Sequence, residues 1–233
     1  MSDGGAQQQD ECRPTAGGTH RWQLAMDKDT VNPFVAILGP ALDNVAPAVR
    51  AHLTQSAGTR RYRGTLRALW RRGGWPGRII AAAFRLASWS EIIKPRDSPN
   101  LPFEMENRIV TRSDGTTAMI WQRTIHFRQG TQRFVGEIVL APGRNSLVDE
   151  HGLLQVELLP RVDGDTVTMD SGRQWLVLGR LRLRLPHRLS GPAAIREWAE
   201  PDGRIGLRLS ISNPLLGDYL GYEAILELDE DQS

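Results

Sequence analysis

Residues 117–127 read Thr117-Ala118-Met119-Ile120-Trp121-Gln122-Arg123-Thr124-Ile125-His126-Phe127. With a period of two, Trp121, Arg123, Ile125 and Phe127 fall on one face, and Gln122, Thr124 and His126 on the other. Side chains alternate across a strand in this way, so the stretch predicts a strand with one apolar face. The same period continues on both sides. Phe103, Met105, Asn107 and Ile109 share a face of 103–111; Ile195, Glu197 and Ala199 share one of 193–200. Leu220, Tyr222, Ala224, Leu226 and Leu228 share one of 219–228. Further strands are predicted at 132–140, 153–161, 166–170, 173–179, 181–185 and 204–212. One more is predicted within 60–70, where Tyr62, Gly64, Leu66 and Ala68 alternate with Arg61, Arg63, Thr65 and Arg67. Most joins carry turn chemistry: Ser113-Asp114-Gly115, Gln129-Gly130, Asp163-Gly164-Asp165, Ser171-Gly172 and Asp202-Gly203. Short joins make neighbouring strands antiparallel, and without helix-length segments between them a parallel doubly wound sheet is excluded. The expected fold is α+β and β-rich: a curved antiparallel meander, barrel- or sandwich-like, with two or three N-terminal helices.

Before the strands the period is helical. Asn32-Pro33 is a helix start, with Asn as cap and Pro at the first helical position. Phe34, Ile37 and Leu38 make the apolar stripe, and Gly39-Pro40 is expected to end it. A second short helix is predicted over 47–53, burying Val49 and Leu53. A third is predicted from Pro76 to about Trp89, with Ile79, Ile80, Ala83, Phe84 and Ala87 at helical spacing. Residues 1–28 are polar and aperiodic and are expected to form a disordered tail. Residues 29–229 are then one domain, and 230–233 an acidic tail.

The composition is that of a soluble globular protein: 233 residues, 40% hydrophobic and 24% charged, with a formal net charge of +2. No apolar run reaches the ~18–20 residues that a membrane helix needs. The first residues have neither basic flank nor apolar core, so no secretory signal is expected and the compartment is expected to be cytoplasmic. A single cysteine, Cys12, excludes an internal disulfide framework and a multi-cysteine zinc site. The five histidines show no metal-ligand spacing, so no metal is expected. There is no phosphate-cradling glycine loop, no dinucleotide fingerprint and no nucleophile elbow, so no cofactor is expected.

Charge is unevenly placed. No acidic residue occurs between Asp43 and Glu91, a stretch that holds nine arginines. Without a nucleic-acid motif beside it, that run does not argue for nucleic acid. It is either a solvated face or a surface for a membrane or acidic partner, in which Arg71, Arg72, Trp75 and Arg78 are the candidate contacts. Such a surface would make the protein membrane-peripheral. Arg180, Arg182 and Arg184 alternate with Leu181, Leu183 and Leu185, a strand with one cationic and one apolar face. Glu104, Glu106 and Arg108 share the wetter face of 103–111 and read as a cross-strand charge ladder.

The apolar faces carry four odd polar residues: Arg123 beside Trp121, with Glu197, Asn107 and Tyr222. Apolar walls with a few placed polar groups are how small-molecule pockets are built. A buried guanidinium needs a partner, and Glu197 is the first choice. That leaves three readings of the interior: a structural ion pair, a pocket for an apolar or amphipathic (lipid- or isoprenoid-like) molecule, or a cyclase or isomerase. In the last, Glu197 or Tyr222 would handle a proton while Arg123 holds an anion. The basic 60–89 segment offers a fourth, a membrane- or partner-docking module.

Several short motifs occur in order along the chain. They are Asn32-Pro33-Phe34 with Leu38-Gly39, then 47–52 (Pro47-Ala48-Val49-Arg50-Ala51-His52), Arg63-Gly64 and Pro102-Phe103 with Glu106-Asn107. Trp121-Gln122-Arg123, Glu197-Trp198 and Pro214-Leu215-Leu216-Gly217 with Tyr222 follow. In this order they resemble the bacterial domain of unknown function 4166, over about residues 32–228. Ile125 departs from the family pattern, where an aromatic is usual. The family has no settled activity, so the resemblance implies a fold unit and a neighbourhood. Its members stand alone or are fused behind a dehydrogenase-like nucleotide-binding domain or a membrane segment. A dehydrogenase-like protein is therefore an expected separate partner.

Overall fold

In the computed structural model, residues 31–71, 100–141, 143, 145–186, 190–213 and 217–229 are described. The chain opens with α1 (Pro33–Leu38), a 3-10 turn (Gly39–Asn44) and α2 (Pro47–Leu53). Among the described residues eleven strands follow: β1 (Thr59–Arg71), β2 (Leu101–Thr111), β3 (Thr117–Phe127), β4 (Gly130–Leu140), β5 (Leu147–His151) and β6 (Leu154–Asp163). The rest are β7 (Thr166–Leu178), β8 (Leu181–Arg184), β9 (Ala193–Ala199), β10 (Ile205–Asn213) and β11 (Gly217–Leu228).

All pairings are antiparallel. Strand follows strand from β1 to β7; then β7 pairs with β9, β9 with β10, β10 with β11 and β11 with β1. Ten strands thus close into a barrel, and β8 lies outside the ring, bonded to the far half of β7. An even strand number lets every pairing stay antiparallel. Closure leaves the ring without edges. Charged residues such as Arg61, Arg63, Arg67 and Glu104 point outward while the apolar faces point in. That is the reverse of a lipid-facing barrel.

About eight strands make a barrel just wide enough for its own side chains to fill. Ten leave room, and the N-terminal helices occupy one end of it. Phe34 is fully buried and lies parallel to Trp121 of β3, ring centroids 5.6 Å apart. Leu38, Leu42, Val45, Val49 and Leu53 join the same core. The plug is pinned by polar bonds. Asn32 Oδ1 accepts from Phe34 N–H at 2.8 Å, capping α1. Its Nδ2 donates to Gln55 C=O at 2.8 Å, tying the plug's two ends together. Ala46 N–H donates to Asp165 C=O at 3.1 Å in the β6–β7 turn, and Arg60 donates to Ala51 C=O.

The strands depart from the sequence reading in three places. β5 was not anticipated, because five residues between two turns are too few to show a period. The predicted turn at Ser171-Gly172 is instead the middle of β7, where the strand exchanges β9 for β8 as its partner. A Cβ on Gly172 would lie 2.7 Å from Glu157 Oε2, so the glycine admits that carboxylate rather than a turn. Ala68 is exposed because the register with β11 shifts between Leu66 and Ala68. Gly39-Pro40 ends α1, but the chain tightens into the 3-10 turn rather than leaving helical geometry. The expected tail over 1–28, the helix over 76–89 and the 230–233 tail lie outside the described residues, as do Cys12, Arg72, Trp75 and Arg78.

Candidate functional site

The barrel interior is divided. Helices fill the end near the β6–β7 turn. The other end keeps a cavity of about 110 Å³. Its wall is mostly apolar: Leu154, Val156 and Leu158 of β6, Ile195 of β9, Leu209 and Ile211 of β10, and Leu220 of β11. Arg123, Asp149, His151, Gln174 and Tyr222 are the polar groups in it. A second depression, about 230 Å³, lies outside over Arg61, Arg63, Glu104, Glu106 and Asp229. There Arg61 pairs with Glu106 at 2.9 Å and Arg63 with Asp229 at 3.1 Å, so those charges meet one another.

Strand alternation brings Arg123 inward, only 9% exposed. Its guanidinium stacks 4.4 Å above the Trp121 ring. Trp121 is itself held by Phe34, so the plug sets the floor on which the cation rests. Among the described residues, Nε and Nη2 of Arg123 have no hydrogen-bond partner and no carboxylate pairs with it. The expected Arg123–Glu197 ion pair is not formed. Glu197, 1% exposed, has His52 of α2 as its ion partner, with Nε2 to Oε2 at 3.5 Å. Asn107 Nδ2 meets His52 Nδ1 at 3.0 Å. If the amide donates there, the ring proton sits on Nε2, facing Glu197. The helical plug supplies a histidine as partner to the carboxylate that strand alternation alone would offer to Arg123.

Tyr222 stands between these groups. Its hydroxyl has no hydrogen-bond partner among the described residues. Burial pushes its pKa up; the Arg123 charge opposes this and the Glu197 charge adds to it. Across the cavity, His151 Nδ1 bonds Val135 C=O at 3.1 Å and Nε2 bonds Asp149 Oδ2 at 2.7 Å. A carbonyl and a carboxylate on the two ring nitrogens favour the doubly protonated ring. Burial disfavours the imidazolium, but the Asp149 charge and hydrogen bond, with the Val135 carbonyl, outweigh it, and the pKa is raised above its usual value. Gly136 makes room for the pair: a Cβ there would lie 2.5 Å from His151 Cε1 and 2.6 Å from Asp149 Oδ1.

The family described as Domain of unknown function (DUF4166) matches residues 46–226. The chain belongs to the DUF4166 family. The match begins after the Asn32–Gly39 motifs, which the sequence reading had included, and runs from ahead of β1 to two residues short of the end of β11. Over 140 residues, 58% of this chain and 68% of the relative, the chain is 26% identical to "Uncharacterized protein YndH" of Bacillus subtilis (strain 168). The DUF4166 unit in this chain is therefore the closed antiparallel barrel, with α2 of the plug inside the match.

All five interior candidates of the sequence reading, Arg123, Glu197, Asn107, Tyr222 and Trp121, face the inside of the DUF4166 barrel. Arg123 and Tyr222 line the cavity, while Asn107 and Glu197 lie deeper, against His52. Three interior groups were missed. Asp149 and His151 share a strand face with Leu147 just before the turn at Gly152, a period-two signal only three positions long. His52 shares a helical face with Val49 and Leu53, which could have marked it as buried. Of the surface candidates, Arg71 is the last residue of β1. The strand half of the basic run is largely a charge ladder: Arg61, Arg63 and Arg67 pair with Glu106, Asp229 and Glu200. No helix among the described residues is long and apolar enough to cross a membrane.

Proposed function

We propose that the barrel binds a small amphipathic molecule, with its anionic head on Arg123 and its apolar body along the β6, β9, β10 and β11 wall. The observation that carries this reading is the Arg123 guanidinium, without an ion partner among the described residues, in a cavity whose wall is mostly apolar. A buried cation is costly unless it is paired and hydrogen-bonded. Arg123 has the fork geometry that carboxylates and phosphates match. The cavity sets the size. It is smaller than the several hundred Å³ expected of a drug-sized site. At roughly 10–15 Å³ per water-sized position it holds a body of about ten heavy atoms.

Octanoate is a probe of that size. Calorimetric titration should show octanoate binding at least about tenfold more tightly than octanol, since a hydrogen bond to a charged group contributes about 1.5–3 kcal/mol. Arg123→Met should erase the difference. Equal affinity for acid and alcohol, or no binding of either, overturns the reading.

The Asp149–His151 pair favours a second reading, a proton-transfer enzyme in the same cavity. Both groups line the cavity, and a carboxylate backed by a cationic ring can move a proton without any other reactant. Incubation with a bacterial metabolite extract, followed by chromatography and mass spectrometry, separates the two. A mass-conserving conversion abolished by Asp149→Asn supports the enzyme. Recovery of a bound molecule unchanged supports binding alone.

A further inference from the structure

Beyond Gln174, β7 keeps its pairing with β6 (Trp175 with Gln155, Leu176 with Leu154) and takes β8 on its other edge in place of β9, so that β7 and β8 form a hairpin whose second strand lies outside the ring. Cross-strand partners share a face, so the register sorts the hairpin into two chemistries. Leu176 faces Leu183 and Leu178 faces Leu181 on one side; Trp175 faces Arg184 and Val177 faces Arg182 on the other. The leucine side is open: Leu178, Leu181 and Leu183 are 45%, 54% and 43% exposed. On the other side Arg182 lies 4.0 Å over the Trp175 ring. Residues 174–186 contain no acidic residue. Arg180, Arg182 and Arg184 have no ion pair among the described residues, unlike Arg61, Arg63 and Arg67 on the barrel wall.

We infer that this hairpin is a docking element for an anionic lipid surface. Adjacent exposed leucines, an interfacial tryptophan and unpaired arginines on one short element are the combination that an anionic bilayer interface accepts, apolar side chains entering and cations meeting phosphates. A second copy of the chain is a poorer occupant. Antiparallel pairing of two β8 edges that keeps the leucines on one face sets arginine opposite arginine, and like charges in that position repel.

The hairpin is rooted at the cavity mouth. Gln174, at its base, lines the cavity, and Leu185 N–H bonds Gln174 C=O at 2.9 Å. Docking would set the mouth against the leaflet, so the ligand's source would be the membrane. That extension rests on the binding reading above; the docking itself does not.

The test is cosedimentation of the full chain with vesicles, without added ligand. The chain should pellet with phosphatidylcholine vesicles containing phosphatidylglycerol, not with phosphatidylcholine alone, and less at high salt. Each arginine near an anionic surface is worth about a fivefold change in affinity. Arg182→Gln with Arg184→Gln should therefore weaken binding by more than tenfold. Leu181→Ser with Leu183→Ser should do the same, and both variants should keep the parent's melting temperature because these side chains are exposed. Three results would overturn the proposal: no pelleting with anionic vesicles, undiminished pelleting of both variants, or lipid-free self-association that the variants lose. Failure of octanoate binding would leave the docking result standing, and the converse also holds.

Discussion

Arg123→Met should make the unliganded protein more stable, not less. Removing one member of a buried ion pair typically costs about 3–5 kcal/mol, because the partner is left charged and alone. Here no partner among the described residues is left to strand. Glu197 faces His52, and two guanidinium nitrogens of Arg123 have no hydrogen-bond partner. The substitution removes a buried cation whose desolvation costs several kcal/mol even after relaxation. It forfeits the stacking on Trp121 at 4.4 Å, worth about 2 kcal/mol when desolvated. Methionine keeps an unbranched apolar stem against the same ring. The balance is a gain of about 1–3 kcal/mol, or about 2–12 °C in Tm for a domain of this size. Urea denaturation with Trp fluorescence and far-UV dichroism as coincident probes measures it. Octanoate titration of the same variant should show the anion preference gone. A variant destabilised by 3 kcal/mol or more would refute the reasoning: the guanidinium would then be satisfied inside the folded chain and would not wait for an anion.

Phe34→Ala should destabilise by about 3–5 kcal/mol, as large-to-alanine changes in a core do, because it removes a fully buried ring stacked on Trp121. A loss under about 1 kcal/mol in urea titration would mean that the plug does not close the barrel end. The His151–Asp149 pair predicts a pH dependence of defined sign. Since the folded pKa is raised, the folded state holds the proton more tightly. The stabilisation is full below the unfolded value of about 6.5 and is lost as pH rises through the elevated folded value. The Tm gap between the parent and Asp149→Asn should therefore be widest near pH 6 and narrow on the alkaline side. A gap constant with pH would sink this account.

The alternation at 103–111, 117–127, 193–200 and 219–228 was enough to predict those strands and the placement of Trp121, Arg123, Asn107, Glu197 and Tyr222 on their apolar faces, and the short joins predicted the antiparallel sense. The physical reason is local: pleating sends successive side chains to opposite faces whatever the rest of the chain does. The Asn32 cap with Pro33, and Pro47 at the start of α2, were legible for a like reason, since a helix start is a matter of a few adjacent residues. Barrel closure was not legible. It depends on β1 meeting β11, on β7 changing partners at Gly172, and on α1 stacking Phe34 upon Trp121, all contacts between residues distant in sequence. The same holds for charge. The basic run from Arg60 to Arg71 looks unpaired in the sequence because its carboxylates, Glu106, Glu200 and Asp229, come from β2, from the chain just past β9 and from the chain beyond β11. Arg123 and Glu197 look like partners because each is the odd residue on an apolar face. Only the tertiary structure places His52 against Glu197 and leaves Arg123 at the cavity wall, because a helix, not a strand, fills the space beside that carboxylate.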